Sequence, residues 1–329
     1  MHQVVNIKIS TRVIRPTPLR EALMKLLKLK QPVENYISES IITGCEVFGQ
    51  QKLLIEKKSS KSVIRVIQTG HIRHLVLNTK GTNLIQSSMN MSNTFDPVDE
   101  YSSLFFTCLI WNDEPKAILI LGLGAGIVPR LFRKYYPMIQ IDIAEIDSNM
   151  YEMAKKYFHF KIDSKMNVFI TDARKYVNSI NVNYDIIFLD AFNENDEGTP
   201  FHLRTIEFLF KLKTILNNKT GVLVTNLHGS HKYYSNSRQT YSYVYKYNYA
   251  FKGQRNMNVM LVSGDESLVP YTYQEMINRA SQLQNKQQFI FNLTSEKTRP
   301  ATLAYCQLLH AKGEKQEEVN VGIADSSSG

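Results

Sequence analysis

Lys116-Ala117-Ile118-Leu119-Ile120-Leu121-Gly122-Leu123-Gly124-Ala125-Gly126 is an apolar strand that runs straight into a glycine-rich turn. A second apolar stretch ends in Glu145-Ile146-Asp147, with Glu145 standing 23 residues beyond Gly122. Glycines at the carboxyl end of a parallel strand allow a tight turn and let a ligand approach the backbone closely. A carboxylate at the end of the next strand can accept hydrogen bonds from both ribose hydroxyls. The spacing therefore predicts a nucleotide site built from backbone geometry and one acid.

Outward from this stretch, strands and helices alternate. Strands fit 117–121, 139–144, 167–171, 184–190 and 221–227, and helices fit 126–135, 147–158 and 203–216. Such alternation predicts an α/β fold with a parallel sheet covered on both faces. Val259-Met260-Leu261-Val262 adds a late strand. Tyr101 to Trp111 reads as a buried helix leading in. Before it, Lys52–Glu56, Ser62–Ile67 and Ile72–Leu77 are short and rich in branched residues, which predicts a small antiparallel sheet. The expected organisation is an extension over 1–50 with a helix near 18–29, a small β-domain over 51–98, a Rossmann-like domain over 99–311, and a disordered tail over 312–329.

Composition narrows the classes. The chain has 329 residues and 43% hydrophobic residues, enough for a sizeable core. No apolar run approaches the ~20 residues that cross a bilayer, and no secretory leader is read at the amino terminus. Cys45, Cys108 and Cys306 are far apart, which argues against a disulfide framework or zinc site and for a reducing, cytoplasmic setting. The net charge of +9 comes from scattered basic residues, so nucleic-acid binding is not signalled.

Two further acids fall in register. Asp172 follows the third strand of the domain and can accept a hydrogen bond from an adenine amino group, with Ala173 beside it. Asp190 ends the fourth strand, in Ile187-Phe188-Leu189-Asp190. A lone strand-end acid is often only a turn cap. Glycine turn, Glu145, Asp172 and Asp190 on four successive strands point instead to an adenosine-type cofactor. His202 and His228 have no metal-ligand spacing with another donor; both read first as local structural groups, and His228 also as a side chain facing the site.

These residues carry a resemblance. Ile118 to Phe158, Asp172-Ala173-Arg174, Tyr184 to Asp190, Gly198 to Phe208 and Asn226-Leu227-His228-Gly229 together resemble the spermidine-synthase-like group of class I methyltransferase folds, over about residues 50–265. The small sheet resembles that family's amino-terminal β-domain. The resemblance implies a Rossmann-like fold, S-adenosylmethionine or its decarboxylated form as cofactor, an amine acceptor (a small molecule or a protein), and a homodimer. It implies Gly122, Gly124, Gly126, Glu145, Asp172 and Ala173 as cofactor-binding residues. Asp190 takes the position of the carboxylate that orients or deprotonates the attacking amine, with Tyr101, Asn193 and His228 on the substrate side.

The chain also departs from the family pattern. Ala125 stands where aminopropyltransferases have an Asp in the glycine loop. Asn193 stands where they have a second Asp, three residues after the first. Their Tyr-His-Glu triplet is replaced within Asp99-Glu100-Tyr101-Ser102-Ser103-Leu104-Phe105, and their Leu-Tyr-Thr step reads Leu203-Arg204-Thr205. Buried ammonium groups need carboxylates or other strong acceptors. Loss of the loop acid leans toward intact S-adenosylmethionine and methyl transfer, with aminopropyl transfer as the alternative. Glu194, Asp196 and Glu197 offer acids that can compensate.

Two rivals stand beside this reading. One is a pseudoenzyme acting through cofactor or partner binding, suggested by the lost acceptor-site acids. The other rests on the aromatic segment Tyr233, Tyr234, Tyr241, Tyr243, Tyr245, Tyr247 and Tyr249, with Lys232, Arg238, Lys246, Lys252 and Arg255 interleaved. Aromatics among basic residues can stack on single-stranded nucleic acid. The expected explanation is packing, at a dimer interface or over the active site, and no nucleic-acid partner is expected.

Overall fold

Short branched runs form the first sheet, and longer apolar runs separated by helices form the second. The structure is a computed structural model that describes residues 51–59, 62–79, 82–192, 198–252, 257–293 and 306–310. The helix expected at 18–29, the tail at 312–329, and Cys45, Asn193, Glu194, Asp196, Glu197 and Arg255 lie outside the described residues.

The first sheet has the order β1 (Gln51–Lys58), β2 (Val63–Thr69), β3 (Ile72–Thr79), β4 (Thr82–Asn90), with antiparallel pairing from β2 to β4. Strand β4 was not expected, because its sequence alternates poorly and is half polar. The structure explains the polarity. Ser87 and Ser88 are buried and spend their hydroxyls on Tyr101 and His74, at 3.2 and 3.0 Å.

A five-residue helix α1 (Glu100–Leu104) and a 3-10 turn over Phe105–Ile110 lead into the second sheet. One continuous helix was expected there; the segment tightens to 3-10 where Phe105, Phe106, Cys108 and Leu109 are all buried. Five parallel strands follow: β5 (Ala117–Leu121), β6 (Gln140–Glu145), β7 (Met166–Ile170), β8 (Ile186–Leu189) and β9 (Val222–His228). Between them come α2 (Ile127–Tyr135), α3 (Ser148–Tyr157), α4 (Ala173–Ser179) and α5 (Ile206–Thr214). Helix α4 was not expected, and α5 is shorter than 203–216: Thr205 caps it, accepting from Phe208 N–H, and a 3-10 turn over Phe201–Leu203 precedes it.

The chain ends with α6 (Tyr234–Val244), β10 (Tyr247–Lys252), β11 (Asn258–Gly264), α7 (Tyr273–Gln287) and β12 (Cys306–His310). The sheet order is β12-β10-β11-β9-β8-β5-β6-β7, with β11 antiparallel to β9 and β10 antiparallel to β11. The aromatic segment forms α6 and β10. Tyr241, Tyr245 and Tyr249 are buried in the sheet's own packing, and Trp111 lies 4.6 Å from the Tyr249 ring. Tyr233 and Tyr243 are exposed and Tyr234 and Tyr247 half-buried, so the stripe is divided between core and surface.

Strand β5 is apolar on both faces because both are covered. Ile118 and Ile120 join the core beneath α2, α3 and α7, while Leu119 and Leu121 join the core beneath α4, α5 and α6. The first of these cores also contains Ile64, Val66, Leu75, Leu77 and Met89, so the small sheet closes on the same hydrophobic mass. Among the described residues, no helix is long and apolar enough to cross a membrane.

Candidate active site

Sheet order puts a switch point between β5 and β8: from β5 the chain goes to β6 on one side and later to β8 on the other. Ligands of such sheets bind beyond the carboxyl ends of the strands at this point. Gly122 and Asp190 meet there. Asp190 N–H donates to Leu121 O at 3.0 Å, and Gly122 N–H donates to Ala144 O at 2.9 Å. Gly122 has φ 106°, and a Cβ on it would lie 2.5 Å from the Asp190 carbonyl oxygen. Only glycine fits both the dihedral and the approach. Gly124 and Gly126 also have positive φ, and Gly126 starts α2.

Glu145 is buried behind the loop. Its Oε2 accepts from Leu123 N–H at 2.9 Å and its Oε1 from Asp147 N–H at 2.8 Å. Burial raises its carboxyl above the ordinary range, against those backbone hydrogen bonds. The acid that suits a ribose thus also fixes the glycine turn. Asp172 caps α4, accepting from Lys175 N–H at 3.1 Å, and its other oxygen meets His202 Nε2 at 2.9 Å. Partial burial pushes that carboxyl up, but the Lys175 and His202 hydrogen bonds outweigh it and leave it below the usual value. Ala173, buried, opens the same helix. Turn cap and ligand acceptor are therefore not exclusive readings of Asp172.

Asp190 is half-buried at the end of β8. The register Leu189↔Thr225 places it beside Asn226 of β9, and Asn226 Nδ2 donates to Asp190 Oδ1 at 2.9 Å. Desolvation pushes the Asp190 carboxyl up to about 7, with the Asn226 hydrogen bond pulling the other way. Tyr101 reaches in from α1. Burial, then the charges of Asp190 and Asp99, raise its phenol well above the ordinary value. Its hydroxyl lies 3.2 Å from Ser87 Oγ, and Ser87 Oγ in turn accepts from Ala125 N–H at 3.5 Å. Asp99 accepts from Ser88 N–H at 2.6 Å, and burial pushes it up to about 6. Loop, small sheet, α1 and β8 so converge on a centre with two acids and a phenol.

His228 ends β9 with Nδ1 3.0 Å from Ser230 Oγ. It lines a recess with Arg204, His231 and Tyr234. Ser87, Asp99 and Asn226 were not singled out from the sequence. Asn226 and Asp99 stand inside runs already tied to the site, and that membership was the available signal; Ser87 had none, since β4 was not legible.

Known proteins share this fold. A probable spermidine synthase from Corynebacterium glutamicum superposes with TM-score 0.59 at 15% identity, covering 74% of this chain and 97% of that one. Human methyltransferase-like protein 13, in complex with SAH, gives 0.54 at 22% identity, covering 61% and 96%. These likenesses establish the fold, that of class I methyltransferases. In sequence, residues 100–253 match the spermine/spermidine synthase domain. A polyamine aminopropyltransferase from Vibrio vulnificus is 35% identical over 228 residues, covering 65% of this chain and 74% of that relative. One from Chromobacterium violaceum is 31% identical over 174 residues, covering 52% and 64%. The chain belongs to the spermine/spermidine synthase family and is a transferase.

These relatives do not support the lean toward methyl transfer drawn from Ala125; the alternative, aminopropyl transfer, fits them better. The physical reason lies around the loop. Losing one acid does not strip the centre of acids, because Asp99 and Asp190 both face Tyr101.

Proposed function

We propose that the chain transfers an aminopropyl group from decarboxylated S-adenosylmethionine to a primary amine of the polyamine class. The observation that carries this is the 35% identity to a polyamine aminopropyltransferase across 74% of that protein. The site supports it: a cationic donor and a cationic acceptor call for a centre rich in carboxylates without competing cations. Among the described residues, neither Asp99 nor Asp190 has a Lys or Arg partner.

In this reading the Gly122, Gly124 and Gly126 turn and Ala173 admit the nucleoside, Glu145 takes the ribose hydroxyls, and Asp172 takes the adenine amino group. The fit rests on the clearance at Gly122, where any side chain would strike the Asp190 backbone. A bound sulfonium donor supplies an electrophilic carbon: the acceptor nitrogen forms the C–N bond, the C–S bond breaks, and its electron pair stays on the sulfur as a neutral thioether. Asp190 orients the amine and accepts its proton. Tyr101 holds the amine's other side, and Asn193 and His228 serve the rest of the acceptor. The family's homodimer and a cytoplasmic setting belong to the same proposal; buried Cys108 is a free thiol, as a reducing compartment allows.

Product analysis tests the reading. With both donor forms and a primary diamine present, the aminopropylated amine is expected and a methylated amine is not.

A further inference from the structure

The Leu203-Arg204-Thr205 step puts a cation where the family pattern has a tyrosine. Arg204 follows the 3-10 turn over Phe201–Leu203 and is half-buried. Its guanidinium carbon lies over two exposed rings, 4.9 Å from the Tyr233 centroid and 5.7 Å from that of Phe201. Aromatic contact covers the faces of a guanidinium and leaves its N–H donors, which lie in its plane, at the edge. Those donors are unspent. Arg65, Arg73, Arg130, Arg133, Arg174 and Arg279 each donate side-chain hydrogen bonds within the protein. The Arg204 side chain donates none to a described residue and pairs with no described carboxylate. Arg238, 5.6 Å from the Tyr234 ring, is in the same state. The recess beside them is cationic: Arg204, His228, His231 and Tyr234 line it, and among the described residues no acid does. Tyr233 N–H donates to His231 Nδ1 at 3.3 Å, so that ring carries its proton on Nε2 and is a donor there.

We infer that this recess is an oxyanion subsite, in which Arg204 receives a carboxylate or phosphate group edge-on through its in-plane N–H donors. The guanidinium fork matches two oxygens of such a group, and the flanking rings hold the fork in place. The oxyanion can come from the acceptor or from a free anion, and the strand geometry favours the acceptor. Asn226 donates to Asp190, and His228 follows it by two residues on β9. Alternate residues share a face of a strand and stand about 6–7 Å apart along it. Asn226 and His228 are both half-buried, while Leu227 between them is buried in the core on the other side. An amine held at Asp190 and extended along that face brings its far end to His228, and so to the recess that Arg204 shares. The acceptor as source rests on the aminopropyl-transfer reading; the subsite itself does not.

The test uses the full chain saturated with methylthioadenosine and titrated in a calorimeter with three probes: 1,4-diaminobutane, 2,5-diaminopentanoate (the same diamine bearing a carboxylate) and inorganic phosphate. Wild type should bind the carboxylated amine more tightly than the plain one. Arg204→Gln should weaken the carboxylated amine roughly ten- to hundredfold, the range of a hydrogen bond to a charged group. The plain diamine, which Arg204 repels, should lose no affinity. Arg204→Lys keeps the charge without the fork and should fall between wild type and Arg204→Gln. Unchanged methylthioadenosine affinity shows that the variants are folded. Phosphate that binds in an Arg204-dependent way, with no gain from the carboxylate on the amine, supports the subsite and assigns it to a free anion. If neither anionic probe binds, or if Arg204→Gln leaves the affinity of both unchanged, the inference is overturned. Turnover is read separately. Arg204-dependent anion binding without aminopropyl transfer removes the transfer reading and leaves the subsite standing; transfer to the plain diamine without Arg204-dependent anion binding does the reverse.

Discussion

Burial holds the Asp190 carboxyl at about 7, against 3.8 for an ordinary Asp, and this shift has consequences of opposite sign for activity and stability. As the proposed proton acceptor Asp190 must be ionised, so kcat/KM should rise with pH through about 7. Asp190→Asn should lower kcat by about 10²–10⁴, the range of general-base catalysis, without abolishing donor binding. For stability, the folded state binds more protons than the unfolded chain between about 3.8 and 7. Stability is therefore lost as pH rises through that window, is unaffected below it, and is fully penalised above it. Asp190→Asn should then be more stable than wild type at pH 8, by on the order of 1–3 kcal/mol, with the difference vanishing near pH 3.5. Urea melts at the two pH values measure it, and a destabilised variant at pH 8 contradicts the burial account. Bound amine or sulfonium, being cationic, would draw the same carboxyl back down.

The glycine turn is where one element fixes another. Gly122 lets the β5–α2 connection pass against the backbone of β8 at Asp190, with φ 106° and no room for a Cβ. Gly122→Ala should cost about 1–3 kcal/mol from strain alone, and should reduce turnover more than an equally destabilising core substitution does. Comparing it with Leu131→Ala, a buried change in α2, separates the two effects; equal loss of turnover per unit of stability would remove the coupling between turn and site. This turn, β5 to β9 and the acids that end them were legible because continuous apolar runs and glycines carry their own geometry. Strand β4 was not, since its buried serines read as surface until their partners Tyr101 and His74 are in place. Helix α4 was hidden for a related reason: Asp172 reads as a site acid, while its second role as a helix cap depends on the backbone turning at Ala173. The pairing of Asp190 with Asn226 depends on register between strands distant in sequence, and periodicity does not encode register. The loop alanine is a weak guide to the transferred group because the charge of a site is a property of several elements, here α1 and β8 as well as the loop.

Across the whole molecule, the small sheet is bound into the larger one rather than appended to it. Ile64, Val66, Leu75, Leu77 and Met89 share a core with Phe105, Phe132 and Phe188. Polar ties add to it: Lys57 pairs with Glu152, Ser59 donates to Asp147, and Arg73 donates to Tyr157 O at 2.7 Å. The small sheet also supplies Ser87 to the site. Both sheets should therefore unfold in one transition, and Leu75→Ala, costing about 2–5 kcal/mol, should lower the melting of far-UV and near-UV signals together. Two separated transitions would show that the sheets fold independently. At the same scale stands the claim that this assembly of turn, acids and phenol moves an aminopropyl group. The most direct measurement is mass-spectrometric identification of the product when the protein is given 1,4-diaminobutane with decarboxylated S-adenosylmethionine, and separately with the intact donor. The account predicts an aminopropylated amine and methylthioadenosine from the first mixture and no methylated amine from the second. A methylated amine from the intact donor, with no product from the decarboxylated one, would contradict it.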